Sequence, residues 1–385
     1  MKKIIVCFIA IFTVLQMQAQ EWGQKKLVSP EIDGNNVTFR LKADKAQSVK
    51  VFGDFLPGVD GFGLGGNVEM KKDSDGIWEY TATNLAPEFY FYYYVVDGVK
   101  VLDPNNLMAI RNFTEFHNTF IIKGKASENY ELAKTHKGIL ESVWYDSPEY
   151  GAQRHMNVYL PYGYDRNKQY PVLYLQHGGG DDEETWIDMG RVCQIMDNLI
   201  DKGEAVPMIV VLPNTMPDEL ASQNVLPLMT TKKPLFKYAH TDVGFRTGGD
   251  YVNDLMHNII PYVESHYSVK KDRSARAISG LSMGGIYSLY TIQFFPGMFD
   301  YIGIMGMGYE ANINADEALA PVKKAGYKLF WIGVGEKDMA LDNGKRLMAG
   351  LDRNNMPYTY YNSKDGHNWR SWRRDLLQLA PKLFK

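Results

Sequence analysis

Apolar and polar residues alternate in short runs over the first third of the chain. In VTFRLKA the residues Val37, Phe39 and Leu41 share a side, in SVKVFGDF Val49 and Val51 do, and GIWEYTAT sets Ile77, Glu79 and Thr81 against Trp78 and Tyr80. A period of two marks β-strands with one buried face. Asp97-Gly98, inside FYFYYYVVDGVKVLD, is a hairpin-turn dipeptide. Residues 25–124 are therefore predicted to form a small all-β sandwich. One strand exceeds the rule: EFYFYYYVV carries Phe89, Phe91 and Tyr93 on one side and Tyr90, Tyr92 and Tyr94 on the other. Two apolar faces are more than one buried face requires. The extra aromatics suit either stacking on carbohydrate or packing against a neighbouring domain.

The polar stretch KGKASENYELAKTHKG has few large apolar residues and reads as a linker over residues 125–139. From residue 140 to 385 the pattern changes. Strand-like runs MNVYLP, YPVLYLQHG, MIVVLPN, RAIS, YIGIMG, KLFWIGVG and YTYYN alternate with helical patterns such as YVNDLMHNIIPYVESHY, where Val252, Leu255, Met256, Ile259 and Val263 fall on one face. Strand-helix alternation predicts an α/β fold with a doubly wound, mainly parallel sheet covered on both sides. Pro261 removes a helix N–H, so a kink or two shorter pieces are expected there.

With 385 residues and 45% hydrophobic content, the chain has ample material for two or three cores. Its 42 basic and 45 acidic residues are interspersed, for a formal net charge of −3. No nucleic-acid or anionic-lipid footprint results, and a neutral or sugar-like partner is more compatible. The opening MKKIIVCFIAIFTVLQMQAQ has two lysines, an apolar run from Ile4 to Leu15, and small residues around Ala19. That is the grammar of a secretory signal peptide over residues 1–20, implying an exported, periplasmic or extracellular protein. The run is too short to span a bilayer, and no membrane insertion is expected. After processing only Cys193 remains, which excludes an internal disulfide. Its apolar surroundings at helical spacing in RVCQIMDNLI point to a core residue.

Gly280-Leu281-Ser282-Met283-Gly284 matches G-x-S-x-G, a weak signal by itself in a chain with 35 glycines. Its context strengthens it: the strand RAIS precedes and the helical pattern GGIYSLYTIQFF follows, the strand-turn-helix setting that projects a nucleophilic serine. A serine hydroxyl needs a base, and the base an orienting carboxylate. Downstream of Ser282 the single histidine is His367, in SKDGHNW. Asp338 lies just past the strand KLFWIGVG, at the sheet edge where such folds keep their sites, with Glu336 and Asp365 as rivals. An oxyanion would need two backbone donors. Met283, directly after the serine, offers one, and the glycine run His177-Gly178-Gly179-Gly180 the other. His177 itself is read as structural, and His155, His240, His257 and His266 as packed or solvated. Without an H-E-x-x-H or a cysteine pair, no metal is expected.

Together VLYLQHGGG, IIPYVESHY, RAISGLSMGG, WIGVGEKD and DGHNWRSWRRDL resemble the esterase D-like branch of the α/β-hydrolases, especially the feruloyl and acetylxylan esterases of carbohydrate esterase family one. VKVFGDF and FYFYYYVVDGVKVLDP are similar to the immunoglobulin-like (E-set) module ahead of isoamylase-type enzymes and many bacterial family-one esterases. The resemblance implies Ser282 as nucleophile, His367 as base, Asp338 as acid, Gly179 and Met283 as oxyanion hole, and no cofactor. It leaves hydroxycinnamoyl, acetyl and siderophore esters open. Trp186 and Trp369 are candidates to stack on a phenyl or sugar ring, or to pack in the fold, and Asn368 to hydrogen-bond a leaving sugar. The long connection TMPDELASQNVLPLMTTKKPLFKYAHTDVGFRTGG reads as a lid or pocket wall. The expected activity is release of ferulate or a related hydroxycinnamate from feruloylated xylan or its oligosaccharides. A siderophore esterase, an acetylxylan esterase and a carbohydrate-binding protein with an inactive hydrolase domain are the alternatives. Nothing in the sequence speaks to oligomeric state.

Overall fold

A computed structural model describes residues 27–58, 65–112, 115–216, 222 and 249–385. The expected signal peptide, His240 and nearly all of the expected lid lie outside the described residues. The alternating N-terminal segments form two antiparallel sheets. One joins Glu31–Asp33, Asn36–Lys42, Ile77–Ala82 and Lys71–Lys72, and the other joins Gly66–Glu69, Val49–Gly53, Glu88–Val96, Glu115–Ile122 and Ala109–Asn112, with Val99–Val101 on the Glu88–Val96 strand. Their facing sides close a core that includes Val37, Phe39, Val51, Trp78, Tyr92 and Phe120.

The second aromatic face of Glu88–Val96 is buried at Phe89 and Phe91 and half-buried at Tyr93. Phe89 and Phe91, 3% and 8% exposed, join the core on one side of the large C-terminal sheet. Tyr93 lies on Phe52, ring centroids 4.6 Å apart. Of the two uses open to that strand, packing between the modules accounts for Phe89 and Phe91. The expected linker is also docked: Tyr130 is buried and its carbonyl accepts two hydrogen bonds from Arg191, at 3.0 and 2.9 Å.

The large sheet has eight strands, numbered here on their own as β1 (Ile139–Ser147), β2 (Ala152–Leu160), β3 (Val172–Gln176), β4 (Ile209–Pro213), β5 (Arg276–Leu281), β6 (Tyr301–Met305), β7 (Leu329–Gly333) and β8 (Thr359–Tyr361). Their spatial order is β1-β2-β4-β3-β5-β6-β7-β8. β1 pairs with β2 and β2 with β4 antiparallel, and the remaining pairs are parallel. Alternate residues of the central strands enter opposite cores: Tyr174, Val211 and Ile278 one, Leu173, Val210 and Ala277 the other. This two-sided burial explains the near-continuous apolar runs.

Pro261 has the expected effect. The segment is helical over Gly249–Asp254, widens into a π-turn over Leu255–Ile259, and continues as Ile260–His266, so the change in the hydrogen-bond ladder lies directly before the proline that lacks an N–H. Cys193 is a free thiol whose pKa burial pushes up to about 12, which keeps it protonated and inert. Among the described residues no helix is long and apolar enough to cross a membrane.

Candidate active site

β5 ends at Leu281 and the helix Met283–Phe294 begins two residues later, so Ser282 makes the whole turn at φ 51° and ψ −116°. Side-chain-bearing residues rarely occupy that region, and the surrounding structure must hold them there. Here the Ser282 N–H donates to the Met305 carbonyl at 2.9 Å, and its carbonyl accepts from Ile286 at 3.1 Å. The flanking glycines are steric requirements. A Cβ at Gly280 would lie 2.4 Å from the Gly284 carbonyl, and one at Gly284 2.5 Å from the His177 oxygen.

The loops leaving β7 and β8 bring the other two groups. His367 Nε2 lies 2.9 Å from Ser282 Oγ, and His367 Nδ1 lies 2.9 Å from Asp338 Oδ1. Asp338 is buried, and Oδ1 also accepts the Ala340 N–H at 2.8 Å, which fixes the carboxylate plane. The rivals face elsewhere: Glu336 accepts from Asn362 at 3.4 Å, and Asp365 pairs with Arg374. Such an array can pass a proton from a hydroxyl to an imidazole whose far nitrogen is held by a carboxylate.

The glycine run after β3 lies against the same turn. A Cβ at Gly178 would come 2.6 Å from Leu281 Cδ1 and 3.4 Å from Ser282 Cβ. His177 is buried and fully engaged: Nε2 accepts the Thr215 N–H at 2.8 Å, and Nδ1 lies 2.8 Å from the Gly178 carbonyl. Burial holds its pKa below the usual imidazole value, which fits a neutral structural ring. Gly179 follows in this loop, and Met283 starts the helix, where the first N–H groups have no intrahelical acceptor. Arg111, on the N-terminal strand Ala109–Asn112, forms an ion pair with Asp182 just past the glycines.

The fold engages the three residues named as candidates to contact substrate. Trp186, 1% exposed, donates Nε1 to the Gln176 carbonyl at 3.0 Å and meets Trp369 edge-on at 5.2 Å. Trp369, 5% exposed, meets Trp372 edge-on at the same distance. Both rings are spent on packing and offer no open face to a substrate. Asn368 is the N-cap of the helix Trp369–Leu379, accepting the Ser371 N–H at 3.2 Å through its side-chain oxygen.

Two residues escaped the sequence reading. Trp372 stands edge-on to the His367 ring at 5.1 Å. Asp375, three residues on, is buried, and burial first, then the Asp338 charge, raises its pKa well above the usual carboxylate range. The available signal was a carboxylate on the apolar face made by Trp372, Leu376 and Leu379. Among the described residues His155, Glu183 and Glu184 bring ligand-type atoms within 4.8 Å of one another. Both His155 nitrogens are taken, by Glu183 Oε1 at 2.7 Å and Ser142 Oγ at 2.6 Å, so the group closes on itself as a hydrogen-bonded cluster.

The Esterase family model matches residues 147–383. The endo-1,4-beta-xylanase/feruloyl esterase of Xylanibacter ruminicola is 30% identical over 356 residues, covering 90% of this chain and 44% of that protein. The chain thus spans less than half the length of that relative. A CE1 ferulic acid esterase from Anaeromyces mucronatus, solved with ferulic acid, aligns with TM-score 0.56 at 25% identity over 67% of this chain and 95% of its own. The enterobactin esterase of Shigella flexneri aligns with TM-score 0.65 at 14% identity over 90% of this chain and 92% of its own, a likeness of fold alone.

Proposed function

The chain belongs to the Esterase family, and on that footing we propose that it is an exported serine carboxylic-ester hydrolase that releases ferulate or a related hydroxycinnamate from feruloylated arabinoxylan. His367 Nε2 takes the proton of Ser282 Oγ as the oxygen attacks the ester carbonyl. Asp338 accepts the Nδ1–H and stabilises the imidazolium. The N–H groups of Met283 and Gly179 receive the charge that develops on the carbonyl oxygen. Collapse of the intermediate expels the sugar alcohol, which takes its proton from His367 and leaves an acyl-serine. His367 then deprotonates a water that attacks the acyl carbonyl, and the free acid departs as Ser282 recovers its proton.

The observation that carries this reading is the pair of 2.9 Å contacts in series, Ser282 to His367 to Asp338. The hydroxycinnamate acyl group is supported by what the X. ruminicola and A. mucronatus proteins are named for. A second reading, a catechol-siderophore esterase, is favoured by the fold likeness to the enterobactin esterase, which extends over the N-terminal module as well. Full-length protein and Ser282→Ala are assayed on feruloylated arabinose, acetylated xylan and a catecholate trilactone, with products identified by mass spectrometry. Ferulate release by the parent and its loss in the variant are expected. Hydrolysis of the trilactone with no ferulate released overturns the first reading in favour of the second.

A further inference from the structure

The helix Trp369–Leu379 starts two residues after His367, and three of its arginines turn toward the N-terminal sheets. Arg373 donates through Nη2 to Glu88 Oε1 at 3.1 Å and to the Phe89 carbonyl at 2.8 Å, and through Nη1 to the Met189 carbonyl at 2.9 Å. Arg374 Nη2 reaches the other Glu88 oxygen, Oε2, at 3.2 Å, while its Nη1 holds Asp365 Oδ2. Arg370 donates to the Asp54 main-chain carbonyl at 3.1 Å and stands 3.7 Å from Asp54 Oδ2 and 3.9 Å from Asp365 Oδ1. Three guanidinium groups therefore meet three carboxylates. Asp54 and Glu88 come from the N-terminal module, and Asp365 from the loop that carries His367.

Glu88 is the centre of this network. Its side chain and that of Arg373 are each 1% exposed. Within its own module its carboxylate accepts the N–H of the next residue, Phe89, at 3.0 Å. A charge so buried is retained only where opposite charges meet it, and in this chain those charges sit more than 280 residues away. The connection runs on without a gap. Glu88 fixes Arg374, Arg374 fixes Asp365, and Asp365 lies two residues before His367 in the turn Lys364-Asp365-Gly366. The module has a second attachment beside the glycine run, where Arg111 pairs with Asp182.

We propose that Glu88 is a positioning residue for the histidine base: acting through Arg374 and Asp365, it fixes the turn that presents His367 to Ser282, so the N-terminal module is part of the catalytic unit. The inference rests on His367 being the base. Near-attack geometry is sensitive enough that a displacement of about 1 Å costs up to about 100-fold in rate.

The test uses the full chain, with Glu88→Gln, Asp365→Asn, the double variant, and Ser282→Ala as control. Methyl ferulate and p-nitrophenyl acetate are the probes, at a temperature well below every variant's unfolding midpoint. Each single variant is expected to lower kcat by about 10- to 100-fold with KM changed less than about two-fold, and the double variant to be no worse than the poorer single one. The downfield proton resonance of the His367–Asp338 pair should broaden or shift in both. If Glu88→Gln fails to fold, Glu88→Asp, which keeps the charge but shortens its reach to Arg374, carries the test, with the same loss of kcat expected. Unchanged kcat and an unchanged downfield resonance, or losses that multiply in the double variant, overturn the proposal. Full activity in Ser282→Ala overturns instead the catalytic reading beneath it.

Discussion

Ser282 Oγ, His367 and Asp338 each depend on one hydrogen bond to the next, so removing any one should disable the array as a unit. Ser282→Ala is expected to lower kcat on a methyl hydroxycinnamate by about 10⁴-fold or more in steady-state assays. Asp338→Asn should cost about 10⁴-fold because an amide at Oδ1 favours the wrong tautomer of His367, while Glu336→Gln stays within about two-fold of the parent. The reverse ranking would make Glu336 the acid. Asp375 yields a pH prediction. Its folded pKa is raised, so its contribution to stability is fully present below about pH 4 and is lost as pH rises through the folded value. Asp375→Asn cannot ionise and should gain on the parent in urea unfolding as pH rises from about 5 to 8. A constant difference across that range would place an ordinary, ionised carboxylate there. Ser282 and His367 were legible because the serine has a strand before it and a helix after it, and because one histidine alone follows it. Trp186 and Trp369 stayed open between stacking and packing because an aromatic ring near a motif has the same spelling whether it faces substrate or core.

The strand Glu88–Val96 and the helix Trp369–Leu379 show how far a single element constrains its reading. Both faces of the strand are apolar, and the sequence left two uses for the second one. Phe89 lies within 5.1 and 5.2 Å of the Arg191 and Arg373 guanidinium groups and is buried against the large sheet. Phe89→Ala should therefore cost about 3–5 kcal/mol in denaturant unfolding. Loss of xylan binding at unchanged stability would restore a carbohydrate-stacking role. Helix interruption at Pro261 was foreseeable from the missing N–H. Its form, a π-turn ahead of the proline, depends on packing of Leu255, Met256 and Ile259 that periodicity does not specify.

For the whole molecule, the ion pairs and aromatic packing between the two parts predict that they do not separate cleanly. A chain beginning at residue 125 would leave Arg373 without Glu88 and would bare the surface that Phe89 and Phe91 cover. It is expected to be insoluble or to unfold without a cooperative transition, checked by sedimentation and calorimetry. A cooperatively folded fragment with the parent's kcat would show that the N-terminal module is dispensable. The sequence by itself determined the alternation of strands and helices, the change of grammar near residue 140, and the serine and histidine, because these are written in local period and motif. Only the tertiary structure decided which of three carboxylates faces His367, which aromatics are buried, and which charges meet Glu88. Burial and charge pairing join residues far apart in the chain, as Glu88 and Arg374 are, and no local pattern records such a contact.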